Sequence, residues 1–334
     1  MKMKKTLFVV AVAAIAMTAC TNEKNEYVGD NSPKEIAFKA ISTPPTRAAL
    51  ESTTFPDNQS MQVSAYSTTG TVDYFADVQF NGTNASKWSG TTAQYWPYTL
   101  TTLNFLAYTG LTAGSATWDA THPASAVTLV MGDNKTAQND LMYACGTGSV
   151  TAGTTSAFTF PTDVPMEFKH AQSLVKFTVK AHDATAASSI TVTGITLNTV
   201  SCQGTFTVTH TNWDKTKADR DADNSKDGSV DGVWSSYDTY AGNVAAIKPY
   251  SYTTLSASQQ DYACLMIVPN QGMASFTVNF KLGTTDYSYT YNTSGTTFNK
   301  ATKYTYNIEF TLHEILITPS VADWGTGSGA DITI

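Results

Sequence analysis

Apolar and polar residues alternate along much of this chain in short runs: MQVSAYS (61–67), TLNFLAYT (102–109), AVTLVMG (126–132), SLVKFTVKA (173–181), SITVTGITLNTV (189–200), GTFTVTH (204–210), CLMIVP (264–269), ASFTVNFKL (274–282), YSYTY (287–291) and KYTYNIEFTL (303–312). A period of two puts every second side chain on one face of an extended backbone, the pattern of strands with one side on a core. Stretches with helical spacing are scarce, and clusters of Gly, Asn, Asp, Ser and Thr separate the runs. The expected fold class is therefore all-β, built as one or two antiparallel sandwiches. Composition supports this, because charged residues are only 14% of the chain and aromatics reach 11%, with threonine frequent. Such side chains suit a pleated, half-buried surface.

At 334 residues the chain is long enough for two domains, each with its own core. The Gly/Ser/Thr-rich stretch GTGSVTAGTTSAFTFPTDVP, residues 146–165, is the expected boundary, and the strand pattern restarts after it. This predicts domains at about 48–160 and 161–334. One large sandwich with a long loop is the alternative.

The N-terminus is built differently. MKMKKTLFVVAVAAIAMTAC carries lysines, then an apolar run, then a small pair before Cys20. That is the layout of an export signal over residues 1–20, too short to span a membrane. The cysteine at its end resembles a bacterial lipobox, which implies Cys20 as the lipidated new N-terminus; Met17 departs from the usual leucine. Beyond Cys20 the chain is expected outside the cytoplasm. Charge excludes one class of partner. Residues 1–47 hold seven of the 20 Lys+Arg and four of the 27 Asp+Glu, which leaves 13 against 23 and a net −10 for the rest. So acidic a body is a poor ligand for nucleic acid. With Cys20 assigned to lipid, Cys145, Cys202 and Cys264 remain, too few for a disulfide scaffold, and they are expected as small buried hydrophobes.

Between Cys20 and Arg47 a polar tether, TNEKNEYVGDNSP, leads into KEIAFKAIS, where Ile36, Phe38 and Ala40 share one face of a short strand. Pro44 and Pro45 end that strand and force an extended, exposed connection. Arg47 then sits where a trypsin-like protease binds extended chain, with the small Ala48 on the far side of the bond. A cut there would release the body from both the strand and the lipid.

Taken in order, the lipobox at Cys20, IAFKAI, TRAA around Arg47, QYWPY (94–98) with LNFLAY (103–108), VPMEFKHAQSLVKFTVKA, and KYTYNIEFTL followed by ILITPSVADW resemble the fimbrillins, the subunits of the protease-assembled pili of Bacteroides-type bacteria. The resemblance spans nearly the whole chain. It implies two tandem antiparallel β-sandwiches of transthyretin-like, Greek-key type, made as an outer-membrane lipoprotein. It further implies an arginine-specific protease cutting after Arg47, Ala48 as the mature N-terminus, and residues 21–47 as a propeptide whose strand, with Ile36, Phe38 and Ala40, is removed. The groove left behind would accept a strand from the next subunit, making other pilin subunits the principal partners. A donor strand should be terminal, alternating and detachable, and residues 313–334, HEILITPSVADWGTGSGADITI, have that shape, with Ile315, Ile317, Val321 and Trp324 as pocket-filling residues and Pro319 fitted to an edge. The alternative is that the tail closes its own C-terminal sandwich.

Three further stretches carry chemistry. Asp223, Ser225, Asp227 and Asp231, with Gly228, follow the spacing of a calcium loop, but Trp234 stands where its closing carboxylate belongs. Either Ca²⁺ binds there or the stretch is a solvated acidic loop; no other cofactor is expected. Tyr95, Trp96 and Tyr98 suit either a glycan-stacking surface or, in preference, a buried aromatic strand. His170 has no catalytic partner at fixed spacing and reads as structural. GxSxG, HExxH, P-loop and GxGxxG motifs are absent, so no enzymatic activity is expected. The competing reading is an uncut outer-membrane surface lipoprotein that binds glycan or host protein.

Overall fold

The computed structural model describes residues 32–42, 60–67, 73–83, 87–111, 116–120, 126–132, 134–136, 138–153, 158–209, 232–236, 243–248, 252, 254–269, 273–293, 296–323 and 332–333. In chain order the strands are β1 (Ala37–Ser42), β2 (Ser60–Ser67), β3 (Asp73–Asn81), β4 (Trp88–Gly90), β5 (Thr102–Thr109), β6 (Ala116–Trp118), β7 (Ala126–Met131), β8 (Met142–Ser149), β9 (Thr151–Ala152), β10 (Phe158–Thr159) and β11 (Val164–His170). They continue as β12 (Ser173–Ala181), β13 (Ile190–Asn198), β14 (Gly204–Thr209), β15 (Val233–Ser236), β16 (Asn243–Ala245), β17 (Gln260–Ile267), β18 (Ser275–Leu282), β19 (Thr285–Asn292), β20 (Thr302–Phe310), β21 (Ile315–Asp323) and β22 (Ile332–Thr333). The helix α1 (Ala184–Ser189) interrupts them, started by the Asp183 carboxylate accepting the Ala186 N–H at 2.8 Å. The chain is all-β, as the alternation predicts.

Strands β1, β11, β8, β5, β2, β3 and β4 close into a barrel in that order. The sheet closes because β1 bridges β4 on one side and β11 on the other. A second pair of sheets, β17-β12-β20-β21-β22 and β16-β13-β18-β19, encloses the core built from Phe177, Phe276, Tyr306 and Phe310. Most pairings are antiparallel, but β1 runs parallel to β11 and β12 parallel to β20. The barrel strands give way to this second pair at Ala171–Gln172, between β11 and β12.

A third sheet, β15-β14-β7-β6, takes strands from either side of that changeover. Its Leu129, Phe206, Val208 and Trp234 pack with Leu106, Tyr108, Tyr143 and Cys145 of β5 and β8. Both faces of β5 are therefore covered, since Leu103, Phe105 and Ala107 belong to the barrel core. This is why LNFLAY reads as almost continuously apolar. The three thiols of Cys145, Cys202 and Cys264 are buried and form no disulfide.

Candidate functional site: the first strand in the barrel wall and the C-terminal edge strand

Ile36 and Phe38 are fully buried, both at 0% exposure, and Ala40 packs partly buried beside them. Their shared face follows from alternation, and the barrel core is what the face meets. The Phe38 ring stands edge-on to Phe80 at 4.8 Å and to Phe105 at 5.1 Å between centroids. These are favoured aromatic geometries that add to simple burial.

Backbone bonds hold the same segment on both edges. Residues Phe38 to Ser42 register against Val164 to Phe168 of β11, while Ala37 and Phe38 face Ser89 and Trp88 of β4. Just upstream, the Ile36 N–H donates to the Gln94 carbonyl at 2.7 Å and the Trp96 N–H to the Lys34 carbonyl at 2.8 Å. The QYWPY run thus lies beside the entry to β1. Trp96 is buried in the barrel core, but the run is not the buried aromatic strand expected of it: it makes only an isolated bridge from Tyr95 to Glu35, and Tyr95 and Tyr98 are exposed at 45% and 39%.

Two glycines make room around this core. A Cβ on Gly148 would lie 2.5 Å from the Trp96 ring, and one on Gly146 would lie 2.5 Å from the Met166 sulfur. The Gly/Ser/Thr-rich stretch that reads as linker is in part strand: its first residues are the end of β8 and its last are the start of β11.

At the other end of the chain, β21 pairs with β20 through nine register positions, from Phe310–Ile315 to Thr302–Asp323. Ile315, Ile317 and Val321 are half-buried against the C-terminal core, and Leu316 on the opposite face is exposed. On its outer side β21 meets only the short β22, at Ser320 and Val321, among the described strands. Pro319, which has no N–H to donate, sits within this edge strand. In this structure the tail is therefore folded on its own sheet.

Cys20, Arg47, Ala48 and Trp324 lie outside the described residues, as do Asp223, Ser225, Asp227 and Asp231. Trp234, at the end of the calcium-loop spacing, is a core residue of β15 whose indole N–H donates to the Ala171 carbonyl at 2.6 Å. Among the described residues no group of three or more His, Cys, Asp or Glu is placed to hold a metal ion. His170 pairs with Asp140 at 2.9 Å, with both side chains buried, closed to any substrate.

The sequence model of the fimbrillin-like family matches residues 46–324. The chain belongs to the fimbrillin-like family. Membership supports a subunit of a pilus or of cell-surface adhesion. No curated protein sequence matches it. Solved structures are similar to this fimbrillin-like chain at low identity. A candidate cell adhesion protein of Bacteroides uniformis is 14% identical, covering 87% of this chain and 98% of its own, with a TM-score of 0.53. One from Bacteroides ovatus is 12% identical over 87% and 97%, with a TM-score of 0.54. The tip fimbrial protein Mfa3 of Porphyromonas gingivalis, solved with a C-terminal truncation, is 10% identical over 87% and 98%, with a TM-score of 0.46.

Proposed function

We propose that the chain is a fimbrial subunit precursor, lipidated at Cys20, carried to the outer membrane, cut after Arg47 by an arginine-specific or trypsin-like protease, and polymerised by strand exchange. The observation that carries this reading is the position of β1. Its Phe38 and the preceding Ile36 complete the barrel core, yet the segment lies N-terminal to Arg47, so a single cut there would detach the core-completing strand from the rest of the fold.

Removing β1 would open the barrel between β4 and β11 and leave both strands with unpaired backbone groups beside an apolar furrow. Burial of an Ile or Phe side chain is worth roughly 1.5–3 kcal/mol each, so the opened barrel strongly favours a replacement strand. Such a strand restores the lost hydrogen bonds by β-augmentation. The replacement is assigned to residues 313–334 of another copy, with Ile315, Ile317, Val321 and Trp324 filling the furrow. Head-to-tail exchange of this kind does not close, and so produces a filament.

A second reading is favoured by the pairing of β21 at home: an uncut, anchored surface lipoprotein that binds its ligand as a single subunit. Limited trypsin digestion of residues 21–334, with N-terminal sequencing and size analysis, separates the two. A product beginning at Ala48 that forms ladders, abolished by truncating the C-terminal tail, is expected of the pilin. An Arg47 bond that resists cleavage, or a cut product that stays monomeric, supports the anchored protein instead.

A further inference from the structure

Far in sequence from the N-terminal strand, the second pair of sheets carries an open cleft of about 620 Å³ that the strand-exchange reading does not use. One wall is β19, whose Tyr287, Tyr289 and Tyr291 alternate onto one face. Tyr291 packs into the core, with ring centroids 5.2 Å from Phe276 and 6.0 Å from Tyr306. Tyr287 and Tyr289 stay 48% and 41% exposed in the cleft. Tyr287 is held flat against Phe280, at 5.7 Å and 21°.

The facing wall is the turn between β20 and β21, residues 311–314. It is fixed by the Thr311 hydroxyl, which accepts from the Glu314 N–H at 2.8 Å and from the His313 N–H at 3.1 Å. Leu312 is exposed there, and His313 and Glu314 line the cleft. None of the Tyr287 and Tyr289 hydroxyls, the His313 ring or the Glu314 carboxylate hydrogen-bonds another described residue. The cleft therefore offers two accessible ring faces together with polar atoms free for a ligand.

We propose that this cleft binds a neutral saccharide. A hexose has one face of C–H groups and a rim of hydroxyls. The face matches Tyr287 and Tyr289, and the rim matches Glu314, His313 and the tyrosine hydroxyls. The volume is that of small-ligand sites, which combine aromatic walls with a few polar groups. Charge selects within the class, because Glu314 lines the cleft and no Lys or Arg does among the described residues, so anionic sugars are disfavoured. Ile315 of β21 forms part of the wall, so the site belongs to a subunit whose β21 is at home, and neither cleavage nor polymerisation is required.

Saturation-transfer NMR on residues 21–334 with lactose, cellobiose and maltose, and with N-acetylneuraminic acid as an anion, tests the assignment. At least one neutral disaccharide is expected to receive saturation at its ring C–H protons, and the acid none. Tyr289→Ala should weaken binding about fivefold to tenfold through lost stacking, while Tyr289→Phe should keep most of it. Glu314→Gln, in an exposed turn, should also weaken binding, and it serves as the readout if Tyr289→Ala fails to fold by circular dichroism. The proposal is overturned if none of the three disaccharides shows transfer, or if neither substitution changes it. A change in sedimentation of Tyr289→Ala with no change in sugar binding likewise overturns it and reassigns the cleft to contact between copies.

Discussion

Phe38 is the side chain through which the N-terminal strand and the barrel depend on each other. With its ring wedged between Phe80 and Phe105, Phe38→Ala leaves a cavity that the surrounding rings cannot fill. A loss of about 3–5 kcal/mol is expected, read from urea unfolding of residues 21–334. Gly148 tests the same core from the opposite wall. Gly148→Ala places a methyl against the Trp96 ring and the Val164 side chain, and overpacking of this kind costs about 1–3 kcal/mol. The phenols respond to pH. Burial, with Asp77 adding to it, pushes Tyr108 up to about 12, and burial drives Tyr262 and Tyr306 higher. The fold favours the neutral phenol, so this contribution is complete below the unfolded value near 10 and is lost as pH rises toward the folded values. Stability should fall above about pH 10 by roughly 1.4 kcal/mol per pH unit for each such tyrosine. Tyr108→Phe should make that fall shallower in denaturation curves measured across the alkaline range.

Among the elements, β1 and β21 differ in how they are held. β1 meets β11 over five positions and β4 at two, with Phe38 fully buried, whereas β21 meets β20 over nine and β22 at two, with Ile315, Ile317 and Val321 only half-buried. Hydrogen exchange should therefore find β21 amides opening well before those of β20 and β12, whose neighbours protect them on both sides. Slower or equal exchange in β21 would argue against its being the detachable strand. Strands such as β13 and β20 were legible in the sequence because each sets about one side chain in two against a core. β3 was not, because Asp77 adopts φ 52° and the register against β2 shifts at two places, which breaks the alternation. Nor is β8 legible, since MYACGTGS is buried over most of its length and its glycines answer to Met166 and Trp96 rather than to a turn. The shared face of Ile36, Phe38 and Ala40 could be read from spacing alone. That β4 and β11 are its neighbours could not, because they come from distant parts of the chain. The cleft shows the same division: the tyrosines of β19 are legible as a strand face, while the turn opposite them is brought there only by the fold.

On the strand-exchange reading, the whole barrel is completed by a part that cleavage would remove. The decisive measurement is hydrogen exchange at β4 and β11, followed in residues 21–334 before cleavage, immediately after cleavage at Arg47, and after assembly. Protection that is present at first, lost when β1 leaves and regained on polymerisation is the predicted sequence. Amides of β4 and β11 that stay protected after β1 is gone, or that remain exposed in the assembled fibre, would contradict strand exchange at this site.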